Sequence, residues 1–71
     1  MSDKGIEFDG EVVEGNKGIF RVKVSDTHTA TCTLGGRIRT NGIRILVGDI
    51  VRIEVSIYDT TKGRIIYRSK L

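Results

Sequence analysis

At 71 residues the chain has room for one domain (1–71) with one small core, near the size at which burial barely outweighs chain entropy. A single cysteine and a single histidine exclude an internal disulfide and a tetrahedral metal site, so neither usual staple of a small scaffold is on offer. The net charge of +3 hides a division: residues 37–71 hold eight Lys/Arg against three Asp/Glu, whereas residues 1–36 hold four against six. Such clustering is the electrostatic footprint of a nucleic-acid binder, set against the plainer reading in which surface cations only keep a small domain soluble.

Ile6-Glu7-Phe8-Asp9-Gly10-Glu11-Val12 alternates apolar and acidic residues and predicts a half-buried first strand, extended by Val13 and Glu14, with a bend or bulge at Gly10. Gly15-Asn16-Lys17-Gly18 supplies hairpin-turn chemistry, because glycine and asparagine tolerate positive φ. The chain then returns through Ile19-Phe20-Arg21-Val22-Lys23-Val24, with Phe20 and the two valines on one face and the cations on the other. Ser25-Asp26-Thr27 makes the next turn. His28-Thr29-Ala30-Thr31-Cys32-Thr33-Leu34 alternates threonines with apolar residues and predicts a third strand.

Gly35-Gly36 breaks the pattern, and the connector after it, Arg37-Ile38-Arg39-Thr40-Asn41-Gly42-Ile43-Arg44, is long enough for one short helical turn. Its three arginines suit anionic oxygens, because a guanidinium stays charged and presents a rigid fork of donors. Val47-Gly48-Asp49 turns into Ile50–Ile57, the most regular alternation in the chain. Tyr58–Gly63 reads as the last loop and Arg64–Arg68 as a fifth strand, followed by a basic tail. Five short strands, with the one irregular connector between the third and fourth, predict an all-β, five-stranded Greek-key OB-fold barrel with a short helical connector. An SH3-like barrel is the competing architecture.

Catalytic and metal chemistry find no foothold. His28 and Cys32 share one side of a strand but are separated by about 13 Å of extended backbone, beyond hydrogen-bond reach. Cys32 reads as a core residue. His28 reads as a surface polar residue, with base stacking or phosphate contact as a second reading. Asp49 and Asp59 sit in turn sequences where aspartate bonds nearby amides, and the glycines follow no phosphate-loop spacing. The sequence predicts no enzyme, no cofactor and no metal. No apolar run reaches signal-peptide or membrane-span length, and Met1-Ser2-Asp3-Lys4-Gly5 is a polar lead-in, so a cytoplasmic protein with no membrane partner is expected.

The ordered blocks Gly36-Arg37-Ile38-Arg39 with Asn41, Ile43-Arg44-Ile45-Leu46, Gly48-Asp49, Tyr58-Asp59 and Lys62-Gly63-Arg64-Ile65-Ile66-Tyr67-Arg68 closely resemble the bacterial and plastid translation initiation factor one family. The match extends to Ile6-Glu7 and Phe20-Arg21-Val22 and so runs nearly end to end. The resemblance implies a protein, monomeric when free, that binds the small ribosomal subunit at its decoding A site. There the family contacts 16S ribosomal RNA and the neighbouring decoding-centre ribosomal protein and works with the other two initiation factors, in the cytoplasm or, for plastid members, the stroma. By position it places Arg37, Arg39, Asn41 and Arg44 on the family's RNA-contacting connector, Tyr58, Lys62, Arg64 and Arg68 on its last loop and final strand, and His28 on a family histidine near the RNA. Thr40 stands where a basic residue is usual, Gly42 where an aromatic one is frequent, Ile50 where lysine or arginine is frequent and Ile57 where proline is common.

Read from the residues alone, the chain is a basic OB-like nucleic-acid binder whose target is open. The rivals are a cold-shock-like module for single-stranded RNA, faintly echoed in Lys17-Gly18-Ile19-Phe20, and a protein-interaction barrel for an acidic partner. Only four aromatics are present, and with Phe8 and Phe20 at inward positions Tyr58 and Tyr67 are left for stacking.

Overall fold

A computed structural model describes residues 5–69, with Arg37 described by its backbone alone; the lead-in through Lys4 and the tail from Lys70 lie outside the described residues. Strands β1 (Gly5–Asn16), β2 (Ile19–Ser25) and β3 (His28–Leu34) precede a helical turn, α1 (Gly36–Thr40), and strands β4 (Ile50–Ser56) and β5 (Asp59–Ser69) follow it. The strands close a barrel in the order β1-β2-β3-β5-β4, and β4 pairs back onto β1. All neighbours are antiparallel except β3 and β5, which run parallel through Thr31↔Lys62 to Leu34↔Ile65. This is the OB topology, in which the segment between β3 and β4 carries the helical turn, and it excludes the SH3-like alternative.

The core follows from the alternation. Val12, Val22, Ala30, Cys32, Ile53 and Ile65 point inward from the five strands and are fully buried, while the polar residue next to each points outward. Ile38 and Ile45 add the connector to the same cluster, so the basic segment is pinned to the barrel by its own apolar residues. Phe8 and Phe20 pack against the cluster at its margin. Among the described residues no helix is long and apolar enough to cross a membrane.

Three local expectations need correction. The irregularity in β1 falls between Val12 and Glu14, not at Gly10. Gly10 instead serves a close approach: a Cβ there would lie 2.7 Å from the Lys23 carbonyl, where β1 changes partner from β4 to β2. The first hairpin turn is tighter than Gly15–Gly18, because Gly15 and Asn16 remain paired with Phe20 and Ile19. Positive φ therefore falls on Lys17 (53°) and Gly18 (82°), the pattern of a two-residue primed turn, and not on Asn16. The last loop shrinks most, since β5 starts at Asp59 and only Ile57 and Tyr58 form the turn. Asp59 pairs with Ser56 and Lys62 with Thr31, so long-range ladders hold as strand a stretch whose composition favours a loop.

Candidate RNA-binding surface

The connector is built from alternating tasks along its length. The Gly35 amide donates to the Ile65 carbonyl at 2.9 Å and docks the start of α1 on β5, and the Arg39 amide then closes the helical turn on the Gly35 carbonyl at 3.0 Å. Ile38 faces the core, so Arg39 and Thr40 are left exposed. The turn ends with the Gly42 amide on the Arg39 carbonyl and the Ile43 amide on the Ile38 carbonyl, both at 3.2 Å, with Gly42 at φ 67°. These are the paired bonds of a Schellman motif, closed by apolar Ile43 and Ile38 at its two ends. Beyond it, Ile43 and Ile45 turn inward and Arg44 outward.

The far end of the connector is fastened by Asp49. Its Oδ2 accepts the Leu46 amide at 2.8 Å, and its backbone carbonyl accepts the Val12 amide at 2.9 Å. The turn role expected for Asp49 is thus observed. Asp59 behaves likewise, accepting the Thr61 amide at 3.0 Å. Bonds from the Thr61 hydroxyl and amide hold the Asp59 carboxyl below its ordinary value of 3.8, with Lys62 adding charge in the same direction.

Arg39, Asn41 and Arg44 are exposed together on the connector, and the Arg37 backbone lies in the same helical turn. Tyr58, Lys62 and Arg64 lie along β5 and the turn before it; Tyr58 is 80% exposed. Arg64 links the two groups, since it lines a cleft with Gly35, Gly36 and Ile66 at the foot of α1. On its other side Arg64 donates to Glu54 at 3.1 Å, a partner that the sequence reading missed. Its signal was the register Glu54↔Arg64, which only the assembled sheet supplies. Arg68 is also committed: Nη1 donates to the Arg44 carbonyl at 3.1 Å and Nε lies 3.7 Å from Asp49.

His28 is not the free surface residue expected first. It is half-buried, its Nε2 is 2.8 Å from the Thr60 carbonyl, and its ring is tilted against Phe8 with centroids 6.3 Å apart. It therefore ties the start of β3 to the start of β5, close to Lys62 in sequence. Cys32 is fully buried, and burial pushes its thiol up to about 11. No three His, Cys, Asp or Glu side chains among the described residues come together in a way that could hold a metal ion.

Among the described residues, three cations elsewhere in the barrel are paired with carboxylates. Arg21 pairs with Glu14 at 3.8 Å, Lys23 with Asp26 at 3.9 Å, and Arg52 with Asp9 at 3.0 Å and Glu7 at 3.7 Å. The bond to Asp9 and the two carboxylates raise the pKa of the Arg52 guanidinium. Among the described side chains, the cations without an acidic partner are Lys17, Arg39, Arg44 and Lys62. Three of these four lie on the connector or β5, so the cations without a partner fall mostly in the basic half of the sequence.

A barrel with this topology and a basic connector can be compared with known proteins. The family model for translation initiation factor 1A / IF-1 matches residues 4–70. The solution structure of translation initiation factor one from the Wolbachia endosymbiont strain TRS of Brugia malayi is 41% identical and superimposes with a TM-score of 0.79, the match covering 94% of this chain and 80% of that one. The chain belongs to the translation initiation factor 1A / IF-1 family.

Proposed function

We propose that this initiation factor binds the small ribosomal subunit at the decoding A site, through contacts of its connector and β5 with 16S ribosomal RNA. The observation that carries the reading is the set of cations without an acidic partner, Arg39, Arg44 and Lys62, on β5 and on a connector that Ile38 and Ile45 anchor to the core. A connector whose backbone is already fastened presents its guanidinium groups to phosphate without first having to order the segment that carries them. Asn41 and Arg64 extend that set, and the family resemblance adds Arg37. Tyr58, held at the turn by its amide bond to the Ser56 hydroxyl at 3.0 Å, offers a face for one base. His28 and Arg68 act from within the fold, through the bonds that hold them. The decoding-centre ribosomal protein and the other two initiation factors are the partners that family membership implies, and the free protein is a cytoplasmic monomer.

The cold-shock-like alternative is disfavoured by one observation. Phe20, the aromatic of the echoing Lys17-Gly18-Ile19-Phe20 segment, packs against the core and offers no platform for a base. Equilibrium binding to purified small subunits tests the proposal. Arg39→Ala and Arg44→Ala should each weaken binding while leaving the fold intact, and Lys17→Ala, an unpaired cation on the opposite half of the chain, should change little. Equal losses at the three positions would show that net charge, not this surface, drives binding.

A further inference from the structure

Residues 41–49 lie between α1 and β4 with no regular ladder of their own, yet they carry the exposed Arg44. Each end of the segment has its own fastening. The Schellman motif holds the first end through Gly42 and Ile43. Gly48 and Asp49 hold the second through bonds to Val12 at 2.8 and 2.9 Å. Between these ends the backbone at Arg44 is held by a side chain from another element: the Arg68 guanidinium, which donates to the Arg44 carbonyl at 3.1 Å.

The same guanidinium faces Asp49, whose Oδ2 is 3.7 Å from Nε and also accepts the Leu46 amide. One planar fork thus spans two points of the connector, residues 44 and 49, from a position near the end of β5. An ammonium, a point charge on a flexible stem, does not reproduce that geometry. The Arg68 side chain is 37% exposed, against 63% for Arg64, as expected of a group turned into the fold. A phosphate that drew the Nη1 edge of the guanidinium away from Arg44 would release the carbonyl of the residue that presents the neighbouring cation.

We propose that Arg68 is a positioning residue for RNA binding: it holds the connector so that Arg44 meets phosphate, and it makes no phosphate contact itself. This rests on the RNA-binding reading above. It differs from a direct role in a way that salt titration reads, because each phosphate contact contributes about −0.7 to −0.9 to the log-log slope of affinity against salt.

The test is a double-mutant cycle on small-subunit binding with Arg44→Ala, Arg68→Ala and the double variant, each titrated over a range of salt and checked for folding by thermal melting. Each single variant is expected to lose roughly tenfold or more in affinity, as for a lost charge-assisted hydrogen bond. The double variant should bind like Arg44→Ala alone, with a slope reduced by about one unit in total. Arg68→Lys should fail to restore binding. Additive losses, a slope reduced by about two units in the double variant, or rescue by Arg68→Lys would each overturn the proposal in favour of direct contact. Unchanged affinity of folded Arg68→Ala would overturn it in favour of a purely structural bond. If the unsubstituted protein itself shows no salt-dependent binding, it is the RNA-binding reading that has failed.

Discussion

The amide of Ile43 reaches back to the carbonyl of Ile38 at 3.2 Å, and the left-handed Gly42 between them makes that return possible. A Cβ at Gly42 would meet no neighbour within 4 Å, so the constraint there is backbone conformation, not space. Gly42→Ala is expected to destabilise the fold by about 1 to 2 kcal/mol, the cost of placing a side chain in the left-handed region. Gly42→Tyr should cost a similar amount, whatever base-stacking surface it adds. Thermal unfolding checks this, and unchanged stability of both variants would contradict the Schellman assignment.

Binding to the small subunit should be steeply salt-dependent. With roughly four to six phosphate contacts, the slope of log affinity against log salt is expected at about −3 to −5. Thr40→Lys, on the exposed side of α1, should tighten binding and steepen the slope by somewhat under one unit. A slope near zero would contradict a phosphate-reading surface.

Asp59 gives the fold an acid limb. Its carboxyl is held below 3.8 by Thr61 and Lys62, so the folded state favours the charged form. That contribution is complete above the ordinary value and is lost as the pH falls through the lower folded one. Asp59→Asn should therefore reduce the pH dependence of stability below about pH 4, read from unfolding midpoints across an acid series. An unchanged acid limb would contradict the role given to the Thr61 bonds.

Cys32 gives an alkaline limb. Burial raises its thiol from 9.0 to about 11, so the folded chain retains a proton that the unfolded chain releases first. The stabilisation is complete below 9.0 and is lost as the pH rises towards about 11. At about pH 8 a thiol reagent should label the native protein only as fast as it opens. Rapid labelling without denaturant would contradict the placement of Cys32 in the core.

What the sequence conveyed was the part of the structure that local chemistry decides. His28–Leu34 is the third strand at both ends, because threonines and small apolar residues alternate without interruption there. The turn role of Asp49 was legible for the same reason: an aspartate after Gly48 finds its acceptor role within three residues. What was not legible depends on register. Asp59-Thr60-Thr61 has loop composition and is strand only because β4 and β3 pair with it. The bond of His28 to Thr60 spans 32 positions and that of Arg68 to Arg44 spans 24. The resemblance placed Arg44 on the connector and Arg64 and Arg68 on the final strand as RNA-binding residues alike, but the assembled barrel was needed to show that Arg44 has no acidic partner among the described residues while the other two are held.

Chemical footprinting of small-subunit ribosomal RNA, with and without the protein, tests the central claim most directly. Protection should concentrate at the decoding A site with the unsubstituted protein and weaken in parallel at those nucleotides with Arg39→Ala and Arg44→Ala. Protection scattered over the subunit, or a decoding-site footprint indifferent to both substitutions, would contradict the assignment of the connector as the RNA-binding surface.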